Sequence, residues 1–303
     1  MPEEKTLRWG ILGTGMIARK FAADLPHSRT GVLCATASRN KASAATFAKE
    51  FGGRPIQGYE TLLKDPDVDA VYLSLPNGLH HEWTIRALRA GKHVLCEKPI
   101  ALNAAQAEEM FAVSEETGKV LIEAFMYRAH PLIQRLIRLV KSGAIGDLRL
   151  MRANFSFARA ASPDDARYHP DQGGGSLMDV GCYCVNFARV LAGTEPTQAT
   201  ATAHLHPLGV DDYAAGTLTF PGGFLVTFTC GMTVKSDPGT FIAGTEGKIA
   251  IDAFWFGRDG FALKRPDGAI EKHEAPPGTA AIYALEADAF ADAVSGKAKP
   301  WLT

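Results

Sequence analysis

A glycine turn between an apolar strand and a helix is the feature that most constrains the fold of this chain. The strand is predicted over 7–13 and the helix over 16–25, and the turn follows the pattern Gly13-x-Gly15-x-x-Ala18. The first glycine permits a tight turn, the second lets the backbone approach a pyrophosphate, and the small third residue lets helix and strand pack closely. Phosphates would then lie at the helix N-terminus. The predicted dinucleotide contacts here are Gly13, Gly15, Met16 and Ile17.

The first 125 residues alternate between short apolar strands and helical segments. Further strands are predicted over 31–38, 70–75, 93–96 and 120–124. The helices between them are predicted over 41–51, 80–90 and 103–117. Alternation of this kind builds parallel βαβ units. We therefore expect residues 1–125 to form an α/β domain with a Rossmann-type, doubly wound parallel sheet.

The remainder of the chain is rich in strands that few helices separate. We predict these strands over 148–157, 198–206, 214–220, 224–233, 240–244 and 248–252, and helices over 131–142, 176–192 and 282–295. The Pro-Gly-Gly sequence at 221–223 is typical of a hairpin connection. The segment 126–303 is therefore expected to be an α+β domain with an open, mostly antiparallel sheet.

Composition excludes several classes of partner. Lys plus Arg number 32 and Asp plus Glu number 33, which gives a net charge of −1 and no reason to expect nucleic acid or an anionic membrane. The chain has no apolar run of about 18 residues, and its N-terminus lacks the features of a signal peptide. The five cysteines are scattered, and no second Cys/His pair accompanies Cys182 and Cys184, so we expect buried thiols, a cytoplasmic location and no metal site.

The end of the second strand bears on the choice of cofactor. An acidic residue usually follows this strand when the cofactor is NAD, because it binds the ribose hydroxyl. Here the chain has Ser38 and Arg39. A hydroxyl and a guanidinium would hold a 2′-phosphate that a carboxylate would repel. We therefore predict NADP, with NAD as the less favoured cofactor; a solvated surface arginine is the alternative interpretation of Arg39.

Four further candidates follow the third and fourth strands. In a doubly wound sheet, the loops at the carboxyl ends of the strands face the ligand crevice. Asn77 and His80 are thus expected near the ribose or nicotinamide, although either residue could instead cap the next helix. Glu97 and Lys98 end the fourth strand at the same edge. Lys98 could polarise an oxygen or lower the pKa of a neighbouring hydroxyl, and a surface lysine is the alternative.

A second glycine-rich segment, 173–183, enters a predicted helix that carries Asp179 and Tyr183. Because these residues are four apart, we expect them on one helix face. A tyrosine that exchanges protons needs a nearby cation, since its free pKa is about 10. Lys98 could supply that cation. A buried tyrosine whose hydroxyl is satisfied by Asp179 is the structural alternative.

Taken together, these motifs resemble the Gfo/Idh/MocA oxidoreductases. The resemblance rests on the glycine turn, on Pro-Asn-Gly-Leu-His at 76–80, on Glu-Lys-Pro at 97–99, and on the segments 123–131 and 173–183, in this order. It covers nearly the whole chain. The branch is similar to the NADP-dependent aldose (D-xylose type) dehydrogenases and the dimeric dihydrodiol dehydrogenases.

The resemblance implies roles for individual residues. Lys98 matches the active-site lysine and Tyr183 the acid–base residue, where the inositol dehydrogenase branch has a histidine. Asp179 matches a residue that lines the substrate site, and Pro99 is a candidate cis-proline. The second domain is implied to bind substrate and to form the contacts of a homodimer or larger homo-oligomer. Family members usually continue past residues 300–303 into a final helix, so we expect the last element to be shortened or absent here.

The function that follows is hydride transfer between NADP and a sugar or a related carbonyl or carbinol compound. Two alternatives remain open at this point. One is a cofactor-dependent enzyme that processes glycosides, and the other is a catalytically silent NADP-binding sensor. The loop 158–172 carries Arg159, Arg167 and His169, which could meet a polar substrate but are expected by default to be solvated.

Overall fold

A computed structural model describes residues 6–236, 239–252, 255–256 and 260–300 of the chain. The chain divides into two compact units, one made of residues 1–129 and 280–303, the other of residues 130–279. The sequence prediction placed the boundary at 125 and assigned all of 126–303 to the second domain. The C-terminal segment instead groups with the first unit, because the apolar face of its helix packs there.

The secondary structure comprises the following strands and helices. The strands are β1 (Leu7–Leu12), β2 (Gly31–Ser38), β3 (Arg54–Gln57), β4 (Ala70–Leu73), β5 (His93–Glu97), β6 (Leu121–Ala124), β7 (Leu148–Ser156), β8 (Gln198–Leu205), β9 (Asp211–Thr219), β10 (Leu225–Gly231), β11 (Thr240–Gly244), β12 (Lys248–Ile251), β13 (Phe261–Lys264) and β14 (Ile270–His273). The α-helices are α1 (Met16–Asp24), α2 (Lys41–Phe51), α3 (Tyr59–Leu63), α4 (His80–Arg89), α5 (Ala104–Thr117), α6 (Pro131–Lys141), α7 (Cys182–Ala192) and α8 (Ile282–Val294). Among the described residues, none of the helices has both the length and the apolar character needed to span a membrane.

The sheet of the first unit confirms the doubly wound prediction. Its six strands are ordered β3-β2-β1-β4-β5-β6, and every neighbouring pair is parallel. The strand order reverses between β1 and β4. In sheets of this kind the ligand crevice lies outside the carboxyl ends of the strands at that reversal.

An aromatic stack attaches α8 to the first unit. Phe290 of α8 lies 5.1 Å from the ring of Trp9, and Trp9 meets Phe21 edge-on at 5.2 Å. Phe21 in turn stacks on Tyr72 of β4 at 3.9 Å. All four rings are fully buried, and aromatic side chains contribute large apolar areas to a core. This packing explains why the C-terminal helix belongs to the N-terminal unit.

The second unit contains an eight-stranded sheet, ordered β14-β13-β12-β11-β7-β10-β9-β8. The β7–β10 pair is parallel and the other pairs are antiparallel. The hairpin predicted at 221–223 is confirmed between β9 and β10. Helix α7 packs against β7 and β10, while every residue of the edge strand β8 is exposed. One face of this sheet is therefore left open.

Some elements escaped the sequence prediction. Strand β3 and helix α3 are short, and only the helix carries fully buried side chains. Strands β13 and β14 are four residues each and lie at the sheet edge. Segments this short show too little periodicity to be recognised. The predicted helix over 176–192 begins as a π-helical turn, Leu177–Gly181, before α7.

Candidate active site

The glycine turn has the backbone geometry that its sequence predicts. Gly13 has φ +105°, and a Cβ there would lie 3.0 Å from Ser74 Oγ. The Gly13 N–H donates to the carbonyl of Ala37 at 3.0 Å. A Cβ at Gly15 would meet no atom within 4 Å. Gly13 is thus required by the fold, whereas Gly15 leaves open space above the backbone.

Helix α1 begins at that open space. No side chain caps its first N–H groups, and its first turn contains no acidic residue. Met16 is exposed, Ile17 is half-buried, and Ala18 is fully buried against the sheet. An uncapped helix N-terminus beside an open backbone approach is suited to a phosphate anion.

The end of β2 presents a hydroxyl and a guanidinium. Ser38 is largely buried, and its Oγ accepts a hydrogen bond from the Asn40 N–H at 3.2 Å. The exposed Arg39 interacts with the hydroxyl of Tyr59. Burial raises the pKa of Tyr59, and Arg39 acts in the opposite direction. The carboxylate typical of NAD sites is absent from this strand end, so the donors present fit a 2′-phosphate.

His80 does not lie where the sequence prediction put it. Its ring is fully buried rather than open to the crevice, and it does not cap α4. Nδ1 lies 2.8 Å from the carbonyl oxygen of Pro99, and Nε2 lies 2.8 Å from that of Leu75. Burial lowers the pKa of His80, as does the nearby charge of Lys98, while the two carbonyls act to raise it. Because both ring nitrogens contact backbone carbonyls, His80 connects the loop after β4 with the loop after β5 and is not available to a ligand. Asn77 begins the helical turn that precedes it and is half-buried.

Glu97 and Lys98 lie at the carboxyl end of β5. Glu97 is buried, and it accepts hydrogen bonds from the Tyr72 hydroxyl and from the Lys98 backbone N–H, the latter at 3.2 Å. The side chain of Lys98 is half-exposed. The Lys98–Pro99 peptide bond is cis, which confirms that prediction. The sequence prediction counted Glu97 among the cofactor contacts, and in the structure its carboxylate also accepts from the backbone that carries Lys98.

Asp179 and Tyr183 both belong to the second unit. Tyr183 is buried, with its ring 5.0 Å from Phe155 and 5.5 Å from Trp255, both in edge-on contact. Asp179 lies in the π-helical turn and Tyr183 in α7, so their four-residue spacing crosses a change of helix type. Asp179 Oδ2 accepts a hydrogen bond from Arg167 Nε at 2.9 Å.

Arg167 was expected to be a solvated loop residue, but it lies between two carboxylates. Its Nη1 is 3.2 Å from Asp165 Oδ1, in addition to the contact with Asp179. Burial opposes its charge, yet Asp179 and Asp165 outweigh that effect and raise the pKa of Arg167. Arg159 remains more exposed, 3.5 Å from Asp165. The sequence did not indicate the pairing with Asp179, because that carboxylate lies 12 residues further along the chain.

All five cysteines are free thiols. Cys96, Cys184 and Cys230 are buried, and Cys34 and Cys182 are half-buried. Burial raises the pKa of the Cys96 and Cys184 thiols, which keeps them protonated and unreactive. Across the part of the chain that the structure describes, no group of three or more His, Cys, Asp or Glu side chains is placed to hold a metal ion.

Comparison with known proteins matches both units to one family. Residues 7–125 match the oxidoreductase family model with an NAD-binding Rossmann fold, and residues 133–250 match the GFO/IDH/MocA C-terminal domain. The chain belongs to the Gfo/Idh/MocA oxidoreductase family. The resemblance seen in the sequence motifs is therefore confirmed, and this family member is an enzyme of the dehydrogenase and reductase type.

Curated relatives of this Gfo/Idh/MocA protein include two dehydrogenases. The mouse trans-1,2-dihydrobenzene-1,2-diol dehydrogenase is 37% identical over 254 residues, which span 82% of this chain and 75% of the mouse protein. The D-xylose 1-dehydrogenase (NADP(+)) 2 of Haloferax volcanii is 42% identical over 218 residues, 72% of this chain and 67% of the relative.

Solved structures of family members align over 98% of the chain. KijD10, a 3-ketoreductase from Actinomadura kijaniata in complex with NADP and TDP-benzene, has a TM-score of 0.87 and 34% identity, with 92% of its chain covered. The aldose-aldose oxidoreductase from Caulobacter crescentus, complexed with glycerol, has a TM-score of 0.90 and 28% identity, also with 92% covered.

Proposed function

We propose that this protein is an NADP-dependent oxidoreductase that transfers hydride between the nicotinamide and a sugar or a related carbonyl or carbinol compound. The observation that carries the proposal is the shared sheet edge of the glycine turn and Lys98. The turn follows β1 and Lys98 follows β5, both at the carboxyl ends of parallel strands. Ligands of doubly wound sheets bind at that edge.

The residues at the edge fit NADP. Gly15 leaves room for the pyrophosphate, and the uncapped start of α1, with Met16 and Ile17, suits its negative charge. Ser38 and Arg39 offer donors for the 2′-phosphate. Asn77 is proposed to contact the ribose or nicotinamide. When bound, the cofactor supplies or accepts the hydride.

The chain's own residues handle the proton and the oxygen. We assign the exchange of the hydroxyl proton to Tyr183, whose ring is held by Phe155 and Trp255. Lys98 is assigned to the substrate oxygen, which its ammonium would orient and polarise. Asp179, fixed by Arg167, lines the substrate side. A positioned acid–base group of this kind contributes about 10²–10⁴-fold to a rate.

The substrate class is inferred from what the relatives share. D-xylose dehydrogenase, dihydrodiol dehydrogenase and the 3-ketoreductase are each named for the oxidation of a hydroxyl or the reduction of a ketone. A tyrosine in place of the histidine of the inositol branch favours an aldose over an inositol.

We further propose that the protein forms a homodimer in the cytoplasm. The open face of the second unit's sheet carries Leu150 and Leu225, opposite each other on the parallel strands β7 and β10, both about half-exposed. Exposed apolar side chains on one sheet face are typical of an interface. Light scattering on Leu225→Arg and on the unmodified protein tests the dimer. An unchanged mass would contradict the use of this sheet face as the dimer interface.

The proposed cytoplasmic location is supported by the free cysteines, which fit a reducing compartment.

The proposed activity is tested by the absorbance of reduced nicotinamide with a panel of aldoses and dicarbonyls. Turnover with NADP and a pentose or hexose is expected. Tyr183→Phe and Lys98→Met should lose at least about 100-fold in kcat while still binding NADPH in a separate fluorescence titration. Retained activity in both variants would overturn the residue roles. NADPH binding without turnover on any substrate would favour a sensor.

A further inference from the structure

A fully buried glutamate lies on α8 of the first unit. The side chain of Glu286 has no exposed surface, and neither of its carboxyl oxygens accepts a hydrogen bond from a donor among the described residues. An ionised carboxylate in such a site is strongly unfavourable, because nothing replaces the water that it loses. The proposed reaction gives Glu286 no role so far.

Glu286 belongs to a cluster of four buried titratable groups from three elements. We call it the acid cluster: Tyr72 of β4, Glu97 of β5, and Tyr283 and Glu286 of α8. Tyr283 and Glu286 are three apart, which places them on one helix face. From α1, the carboxylate of Asp24 accepts a hydrogen bond from the Tyr283 N–H at 3.2 Å. The negative charge of Glu97 acts on the other three members.

The two carboxyl groups of the acid cluster differ in their donors. Glu97 receives the Tyr72 hydroxyl on Oε1 and the Lys98 N–H on Oε2. Two donors favour the ionised form of a carboxyl group. Glu286 receives none, and burial together with the charge of Glu97 raises its pKa well above the ordinary value. Like charges in a buried site do not both ionise, and the two donors favour Glu97 as the charged member of the pair.

We propose that Glu286 is a positioning residue, a neutral carboxylic acid that donates its proton as a hydrogen bond toward Glu97 and keeps that carboxylate charged and oriented beneath Lys98. The acid cluster would then carry one negative charge, held against the backbone of the lysine. The effect of Glu286 on catalysis rests on the proposed function of Lys98. The protonation state of Glu286 does not depend on that proposed function.

The protonation state is tested directly by infrared spectroscopy of the intact protein at neutral pH. Unmodified protein should show the carbonyl band of a protonated carboxylic acid, and Glu286→Gln should lack it. Asp288→Asn is the matched control on the same helix, since Asp288 accepts a hydrogen bond from Ser28 at 2.6 Å and faces another part of the unit. That control should keep the band. No band in the unmodified protein, or an equal band in Glu286→Gln, would overturn the proposal.

The positioning role is tested by the pH profile of kcat. Glu286→Leu removes the donor, so Glu97 should take up a proton at higher pH and the acid limb should move upward. We expect kcat to fall about tenfold to a hundredfold at neutral pH, as for a small misplacement of a reacting group. Glu286→Gln keeps an N–H donor and should restore the unmodified profile. If Glu286 has a purely structural role, the acid limb of the kcat–pH profile should not shift in either variant. If no substrate turns over at all, the proposed function fails and the infrared result still decides the state of Glu286.

Discussion

His80 and Pro99 are joined across the active-site edge by a contact of 2.8 Å between the imidazole Nδ1 and the prolyl carbonyl oxygen. The other ring nitrogen reaches the Leu75 carbonyl at the same distance. Leu75 follows β4 and Pro99 follows Lys98, so one buried ring ties together the two loops that carry Asn77 and Lys98. A neutral ring has one N–H and donates to one of these carbonyls, whereas a protonated ring donates to both.

Replacing His80 with leucine should damage both stability and catalysis. The buried carbonyl that accepts the N–H of the neutral ring loses this donor, which is expected to cost about 1–3 kcal/mol for an unsatisfied group. The loop that holds Lys98 becomes less well positioned, and we expect kcat to fall about tenfold to a hundredfold. Thermal unfolding and steady-state kinetics measure the two effects separately.

The adjacent His81 offers a matched control. Its Nε2 contacts Glu109 at 2.8 Å on the surface, away from both loops. His81→Gln should change the free energy of unfolding by no more than about 0.5 kcal/mol and leave kcat unaltered. If the His80 and His81 variants changed the free energy of unfolding and kcat equally, the contacts of His80 with the two loops would have no special role.

The buried histidine also predicts how stability depends on pH. The pKa of His80 is lowered in the folded protein, chiefly by burial, from 6.5 in the unfolded chain. Its contribution to stability is therefore complete above that unfolded value and is lost as the pH falls through the lower folded value. The loss approaches about 1.4 kcal/mol per pH unit. Unfolding measured at several pH values should show the gap between the unmodified protein and His80→Gln narrowing below about pH 6.5; a constant gap would contradict the buried neutral ring.

The sequence was most informative where one local pattern decided the structure. The central strands β4 and β5 of the first unit are nearly continuous apolar runs, because they are buried on both faces of a parallel sheet. Gly13 could be assigned because only glycine readily adopts its positive φ. These features depend on neighbours in sequence, so β1, α1 and the glycine turn were found at nearly their observed bounds.

Contacts between distant segments were not predictable in this way. The burial of His80 depends on a carbonyl 19 residues away, and the partner of Asp179 is a loop arginine 12 residues before it. The amphipathic pattern of α8 predicted a helix but did not indicate which sheet would cover it. Glutamate is usually exposed on a helix, so nothing in the sequence indicated that Glu286 is fully buried.

The two glycines of the turn should respond differently to substitution. Gly15→Val places its side chain in open space at φ −70°, so the fold should tolerate it, while the pyrophosphate approach is blocked. We expect NADPH affinity to fall at least about tenfold, or about 1.4 kcal/mol. Gly13→Ala should instead unfold at lower temperature, because a positive φ costs about 1–3 kcal/mol. Equal loss of stability in both would contradict this division of roles.

Arg39 should set the preference between the two nicotinamide cofactors. Removing its charged donors in Arg39→Ala should weaken NADPH binding by about 1.5–3 kcal/mol and leave NADH binding unchanged. Arg54→Ala is the control, since Arg54 begins β3 and pairs with Asp65 and Asp67 instead. Fluorescence titrations with both cofactors give the comparison, and a parallel loss of NADH affinity would argue against a 2′-phosphate contact.

The pairing of Arg167 with Asp179 predicts that the free energy of unfolding and kcat/KM depend on how much of the Arg167 guanidinium a substitution removes. Arg167→Leu leaves the largely buried Asp179 carboxylate without its guanidinium, and the lost charged hydrogen bonds should lower the free energy of unfolding by about 1.5–3 kcal/mol. Arg167→Lys keeps the charge but not the planar fork, so an intermediate loss of kcat/KM is expected. Arg159→Leu removes an exposed pair with Asp165 from the same loop and should have an effect below about 1 kcal/mol. NADPH affinity should be unchanged in all three variants, since neither arginine is among the proposed cofactor contacts. A lysine variant as active as the unmodified protein would show that the orientation of Asp179 does not depend on the fork.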